Sequence, residues 1–184
     1  NEAFFDKARP YLDKVEVVVF PDVTAETSAL IAGDTDLILS TPPTEFGRLQ
    51  KASGVKALRT PSGQFCNVNF GCDQKPFNDV RVRQALALTV DRATMVDFVT
   101  ESFGSPGNDT PLNPAYRFYT DLPLKKADIA KAKALLAEAG YPNGLDLTLI
   151  ASDRPGQRTQ LAVALREMAK PAGFNIKVET MPHA

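Results

Sequence analysis

The chain has 184 residues and a formal net charge of −1 at pH 7, with 43% hydrophobic and 23% charged residues. This length fits one domain or two small ones, and the apolar fraction is sufficient for a buried core. The nearly balanced charge gives no general attraction to nucleic acid or anionic membranes, and no run approaches the ~18 apolar residues of a membrane span.

The N-terminal part of the chain predicts a strand–helix–strand unit. Val15–Phe20 is an almost continuous apolar, β-branched run, which is typical of a strand buried on both faces. Thr24–Ala32 predicts a helix that ends at Gly33, and Asp36–Leu39 predicts a second short buried strand. The inward positions of the helix are expected to be Leu30 and Ile31. Such an order within this length indicates a right-handed βαβ unit.

A further helix and two strands are predicted before the middle of the chain. Thr44–Ala52 predicts a short helix, and Val55–Thr60 predicts a strand. Phe65–Phe70 alternates two sets of side chains, which indicates a half-buried strand with one polar face. The polar set is Phe65, Asn67 and Asn69, and the apolar set is Cys66, Val68 and Phe70.

The strongest local pattern is a helix, a break and a second helix, from Pro76 onward. Asn78 is predicted to cap the first helix, with Asp79 adding negative charge near its start. Its buried stripe should consist of Val82, Ala85, Leu86, Thr89 and Val90. Asp91 is predicted to cap the second helix, whose inner face should consist of Met95, Val96 and Val99. We interpret Arg81, Arg83 and Arg92 as structural, with Arg83 pairing with Asp91 or Asp79.

Glu101–Thr120 is a long irregular stretch rich in proline, glycine and aromatic residues. Loops of this length are uncommon in compact domains and often line binding sites. Two interpretations stay open for Tyr116 and Tyr119: the rings stack on a ligand, or they pin the loop to the core.

The C-terminal part predicts a second strand–helix–strand unit, preceded by a helix. The helix spans Asp128–Ala139 and ends at Gly140. Leu145–Ile150 predicts a strand, Arg158–Lys170 a helix and Phe174–Met181 a closing strand.

The residues that could carry chemistry argue against an enzyme. The single histidine, His183, is close to the C-terminal end of the sequence, which makes a histidine base in a formed cleft improbable. Two cysteines and one histidine do not match a zinc site, and the sequence has no phosphate-binding glycine loop. We therefore predict no enzymatic activity, no metal and no cofactor. Cys66 and Cys72 form a disulfide only if the chain reverses near Gly71, and otherwise stay free, partly buried thiols.

Pro76–Arg92, "PFNDVRVRQALALTVDR", resembles the signature segment of the extracytoplasmic solute-binding proteins that serve peptide and nickel ABC importers. These form the dipeptide/oligopeptide-binding family, solute-binding family 5. Flanking segments are similar to that family in the same order. They are "PDVTAETSALIAGDTDLI" and "NVNFG" upstream, and "KAKALLAEAGYPNGLDLTLI" and "AGFNIKVET" downstream.

The resemblance implies an α/β fold of the type II periplasmic-binding-protein kind, in which two lobes enclose a cleft. Members are much longer than this chain, so we expect an internal fragment. Residues 1–62 should form part of the first lobe and residues 63–184 most of the second. The predicted architecture is two strand–helix–strand units joined by Phe65–Phe70 as a crossing strand.

Four residues are predicted to contact a ligand. Arg154 follows the Leu145–Ile150 strand, at the strand end where ligands of open α/β sheets bind, and its planar guanidinium can hold a carboxylate by two hydrogen bonds. An Arg-Pro at this point holds the peptide carboxylate in the dipeptide-binding branch. The loop here is shorter, which leaves Arg158 as an alternative and a surface arginine as another. The resemblance adds Asn67 and Asn69 of the crossing strand, and Tyr116 of the loop toward the ligand, to the predicted site. For the two asparagines, the alternative is that they are surface or turn amides.

The resemblance implies the ligand-binding component of an ABC-type importer, which captures a short peptide or other small solute and delivers it to inner-membrane permease subunits. We expect a monomer in the periplasm or otherwise outside the cytoplasm, without nucleic-acid partners. The first residue is Asn1 and no signal-peptide pattern is present, so an export signal is expected upstream. The alternative is a stand-alone sensor or interaction domain with the same fold.

Overall fold

The computed structural model describes residues 5–6, 8, 11–60, 62–114, 116–153 and 156–182. The chain divides into two compact units, Asn1–Leu58 and Arg59–Ala184. The division lies close to the predicted lobe boundary after residue 62, and the assignment of lobes to these units stays a prediction.

The first unit contains two helices among its described residues. Helix α1 spans Val23–Ala32, and helix α2 spans Pro43–Lys51. The Asp22 carboxylate caps α1 by accepting a hydrogen bond from the Ala25 N–H over 2.8 Å. Both helices confirm the sequence prediction to within one or two residues, as expected from caps and terminators that act locally.

The inward face of α1 differs from the prediction. Its buried residues are Thr27 and Ala29, whereas Leu30 is half-buried and Ile31 is 37% exposed. The predicted inner face was wrong because large apolar side chains were expected to be the buried ones. The small side chains of Thr27 and Ala29 occupy the inner face of α1 instead.

Three strands predicted in the N-terminal part of the chain do not form. Neither Val15–Phe20 nor Asp36–Leu39 forms a strand, and Val55–Thr60 forms none either. Val17, Val19 and Leu39 are 84%, 90% and 93% exposed. A strand exists only where neighbouring backbone satisfies its N–H and C=O groups, and these segments pair with no other strand in the described part of the chain. The βαβ unit predicted here is therefore absent from the described residues.

The second unit begins with a segment without secondary structure and a pair of helices. Phe65–Phe70 forms no strand, contrary to the prediction, but Val68 and Phe70 do pack against the core. Helix α3 spans Val80–Ala87, and helix α4 spans Arg92–Thr100.

The caps of these two helices are partly as predicted. Asp91 caps α4, with its carboxylate accepting from the Thr94 N–H over 2.8 Å. The cap of α3 is Asp79 rather than Asn78, because Asp79 has the extended backbone of an N-cap and accepts from the Arg81 N–H. Arg81 rather than Arg83 forms the ion pair with Asp79, and the Arg83 guanidinium donates to the Phe77 carbonyl.

The C-terminal strand–helix–strand unit is confirmed. Helix α5 spans Ile129–Glu138, strand β1 Leu145–Ser152, helix α6 Gln157–Ala169 and strand β2 Phe174–Met181. The two strands are parallel and in register from Leu145 opposite Phe174 to Ser152 opposite Met181. One 3-10 turn, Lys170–Ala172, leads from α6 into β2.

The core of the second unit lies between this sheet and helices α3, α5 and α6. Phe174 and Val82 are fully buried, and Leu136 is 2% exposed. Burial of a side chain of this size contributes about 1.5–3 kcal/mol to folding. The remaining buried members are Ala85, Leu86, Ala132, Leu165, Ala169, Ala172 and Ile176. Within the described ranges, none of the helices combines the length and apolarity that crossing a bilayer requires.

Candidate functional site

The carboxyl end of β1 carries the first candidate position. β1 ends at Ser152 and α6 begins at Gln157, so the connection between them lies at the strand end where α/β proteins bind ligands. Arg158, in the first turn of α6, donates from its guanidinium to the Ser152 hydroxyl over 2.6 Å. Thr159 donates to the Ser152 carbonyl over 3.4 Å. These bonds fold the start of α6 back onto the end of the strand.

Arg154, the predicted carboxylate-binding residue, lies outside the described residues. Its alternative, Arg158, is described and exposed. Arg158 therefore presents a cation at the carboxyl end of β1, with Ser152 as a polar neighbour. His183 also lies outside the described residues.

The second candidate position is the amide pair Asn67 and Asn69. Both side chains are exposed, and the Asn67 amide donates to the Asn69 side-chain oxygen over 2.6 Å. The apolar side chains Val68 and Phe70 lie between and after them and pack on the core. The predicted alternation is present from Asn67 to Phe70 although no strand forms, but Cys66, which was predicted on the apolar side, is exposed. Each amide retains a second hydrogen-bonding group that can meet a polar ligand.

Tyr116 lies against the segment that leads to this amide pair. Its hydroxyl donates to the Gly63 carbonyl over 3.5 Å, a long bond, while the ring is 43% exposed. Tyr119 instead donates to the Asp121 carboxylate over 3.2 Å. Desolvation first, and then the Asp121 carboxylate, raise the pKa of Tyr119.

A buried arginine, Arg92, holds the middle of the long loop. Arg92 donates to both carboxylate oxygens of Asp109, over 2.7 and 2.8 Å, and to the Gly107 carbonyl over 3.0 Å. Lys125 adds a third contact to Asp109 over 2.9 Å. Desolvation raises the pKa of Asp109, but Lys125 and Arg92 outweigh it and hold the pKa below its usual value. The structural role predicted for Arg92 matches this geometry.

The local sequence does not predict some of these contacts. The ion pair between Arg92 and Asp109 and the packing of Tyr116 on Gly63 join residues far apart in the chain, and no local pattern marks such pairs. An open groove of about 560 Å³ lined by Thr148, Arg166 and Lys177 was not predicted either. It lies toward the amino-terminal half of both strands, away from the strand ends where ligands usually bind.

The remaining side chains that could form a disulfide or bind a metal are the cysteines and the acidic residues. Cys66 and Cys72 are free thiols, as in the second alternative, but both are exposed, so the partial burial predicted for them was wrong. In the part of the chain that the structure describes, no three side chains of His, Cys, Asp or Glu are grouped as metal ligands.

The chain is similar to two curated proteins over almost its whole length. It is 31% identical over 182 residues to the heme-binding protein A of Haemophilus influenzae, covering 96% of this chain and 32% of that protein. It is 29% identical over 193 aligned positions to the oligopeptide-binding protein AppA of Bacillus subtilis, covering 97% of this chain and 35% of that protein. The chain therefore spans about a third of the length of these relatives.

A solved structure shows the same fold. The periplasmic binding protein AgaA of A. tumefaciens, in complex with agropinic acid, superposes with a TM-score of 0.82 at 29% identity, covering 97% of this chain and 36% of that one. The type II periplasmic-binding-protein fold predicted from the sequence is thereby confirmed. The family model described as bacterial extracellular solute-binding proteins, family 5, middle region, matches residues 1–184, and the chain belongs to this family.

Proposed function

We propose that the intact protein is the ligand-binding component of an ABC-type importer. It captures a short peptide or another small solute between two lobes, outside the cytoplasmic membrane, and delivers it as a monomer to the permease subunits. The observation that carries this proposal is the family match over residues 1–184. Closure of two lobes around a ligand is a known mode of hinge motion, and it suits capture and release rather than turnover.

Four side chains form the proposed ligand site: Arg154, Asn67, Asn69 and Tyr116. Support for Arg154 is its place in the sequence, two residues after the last residue of β1, with Arg158 following in the first turn of α6. Oligopeptides and agropinic acid both carry a carboxyl group, and a guanidinium binds that group by paired, charge-assisted hydrogen bonds. The exposed amides of Asn67 and Asn69 supply neutral donors and acceptors, and the exposed part of the Tyr116 ring supplies an apolar surface.

The function is tested by calorimetry on the intact protein with alanine peptides of two to five residues, together with native mass spectrometry of any co-purified solute. We expect a bound solute or measurable peptide affinity. Absence of both, for correctly folded protein, would contradict the importer proposal.

The site is tested separately with arginine variants and the best ligand found. Arg154→Ala should weaken binding about 10- to 100-fold, the factor that corresponds to a hydrogen-bonded charge pair. Arg158→Ala serves as the test of the alternative position. Arg166→Ala is the matched control, because Arg166 pairs with Glu167 further along α6. Equal affinity of all three variants and the wild type would remove the β1 end from the site while leaving the function intact.

A further inference from the structure

Three contacts join the beginning of the second unit to the long loop. The Arg59 guanidinium donates to the Phe103 carbonyl over 2.8 Å and lies 4.8 Å from the centre of the Phe103 ring. Asn113 donates to the Ser62 carbonyl over 3.4 Å. Together with the bond from Tyr116 to Gly63, these contacts form what we name the loop clamp.

The Gly63 contact is closely packed as well as hydrogen-bonded. A Cβ atom at Gly63 would lie 2.6 Å from the Tyr116 hydroxyl oxygen and 2.9 Å from two ring carbons. No real Cβ makes contacts this short, so a side chain at Gly63 would displace the ring. The absence of a side chain at this position is therefore what lets Tyr116 rest on the backbone.

The middle of the same loop is fixed to helix α4. Arg92, the first residue of α4, donates hydrogen bonds to the Gly107 carbonyl and the Asp109 carboxylate. The side-chain oxygen of Asn108 accepts a hydrogen bond from the Lys125 N–H over 3.1 Å. Helix α4 is thus connected, through loop residues 107–109 and the flanking loop contacts, to Arg59, Ser62 and Gly63. Those residues lead directly into the amide pair at Asn67 and Asn69.

We propose that the loop clamp couples the long loop, residues 101–120, to the crossing segment, residues 59–70, so that the two move as one body. Arg59 and Asn113 are then positioning residues that act through the segment they hold, and Tyr116 holds this segment in addition to its place in the proposed ligand site. This makes the loop a conformational device: a displacement of the loop is passed to the segment with which the second unit begins. The inference does not depend on the identity of any ligand.

Hydrogen exchange of the ligand-free, intact protein, followed by mass spectrometry, tests the coupling. Tyr116→Ala should accelerate amide exchange in both 64–70 and 104–114 by about two- to tenfold, the factor that corresponds to one net hydrogen bond and its packing. Asn113→Ala should give the same paired pattern without loss of an aromatic ring. Gly107→Ala is the control, since a Cβ there meets nothing within 4 Å.

A double-mutant cycle separates coupling from general destabilisation. Gly63→Ala should accelerate exchange in both segments of the wild type but add almost nothing in the Tyr116→Ala background, where no ring remains to be displaced. Faster exchange confined to the segment that carries the substitution would overturn the proposal. So would equal effects of Gly63→Ala in the two backgrounds. Because no ligand is added, either outcome leaves the importer proposal untouched.

Discussion

Arg92 shows how one buried cation organises a loop that has no secondary structure of its own. Its side chain is 7% exposed, and its donors are shared between a carboxylate and a backbone carbonyl. Asp109, by contrast, is 45% exposed. Water therefore screens part of the attraction between the Arg92 and Asp109 charges.

Replacement of Arg92 by methionine should destabilise the protein by about 1.5–3 kcal/mol, because hydrogen bonds to a charged group are lost from a buried position. Urea unfolding measures this change. Lys125→Met is the matched control, since Lys125 is 58% exposed and its contact with Asp109 should be worth less than about 1 kcal/mol. Equal losses in the two variants would show that the burial of Arg92 is unimportant.

Asp109 should also make stability depend on pH in a predictable direction. The pKa of Asp109 is lowered in the folded state relative to the ordinary value of 3.8, so its ionised form is the one that stabilises the fold. That contribution is fully present above the ordinary value and is lost as pH falls through the lower folded-state pKa. The stability difference between wild type and Asp109→Asn should therefore shrink at acid pH. Urea unfolding at pH 7 and pH 3 measures it, and a constant difference would contradict the assignment.

At the scale of elements, the C-terminal strand–helix–strand unit depends on a close approach between two glycines. Gly144 precedes β1 with φ of 104°, and the Leu145 N–H donates to the Gly173 carbonyl over 2.9 Å. A Cβ at Gly144 would lie 2.8 Å from that same carbonyl oxygen. The start of the parallel ladder thus requires glycine both for its backbone conformation and for space.

Gly144→Ala should be more destabilising than Gly140→Ala. Gly140 also has a positive φ, 96°, but a Cβ there meets nothing within 4 Å, so only the backbone strain of about 1–2 kcal/mol applies. At Gly144 the collision adds roughly 1–3 kcal/mol, because the obstructing atom belongs to the backbone. Thermal unfolding of both variants isolates the collision. Identical melting temperatures would contradict the close approach.

At the scale of the whole molecule, the two units differ in how much apolar surface they bury. The second unit has a continuous core between the sheet and three helices. The first exposes Val17, Val19 and Leu39 almost completely, in segments whose sequence is typical of strands. Apolar side chains exposed in this way favour association with other apolar surfaces.

The 184-residue chain on its own should therefore bind a hydrophobic fluorescent dye and self-associate at high concentration. Val17→Thr combined with Val19→Thr should lower both signals, because both side chains are exposed and threonine keeps the branched shape. The matched control is Val82→Thr, at a fully buried position, which should lower stability and raise dye binding instead. Unchanged fluorescence in the double variant would show that another surface binds the dye.

The sequence by itself determined the helices and the last strand–helix–strand unit, since their caps, breakers and apolar periods act over a few residues. Such local signals predict the helix cap at Asp91, the helix end at Gly140, and the strand starts at Leu145 and Phe174. The motif from Pro76 to Arg92 also identified the family, which the family match confirms.

Only the tertiary structure decided which apolar segments become strands and which side chains meet across the chain. Val15–Phe20 has the composition of a buried strand but pairs with nothing in the described residues, because a ladder needs a second backbone that no local pattern specifies. The bond between Tyr116 and Gly63 spans 53 positions, and that between Arg92 and Asp109 spans 17. Such contacts depend on the folded path of the whole loop, and this is why the candidate site was only partly readable from its residues.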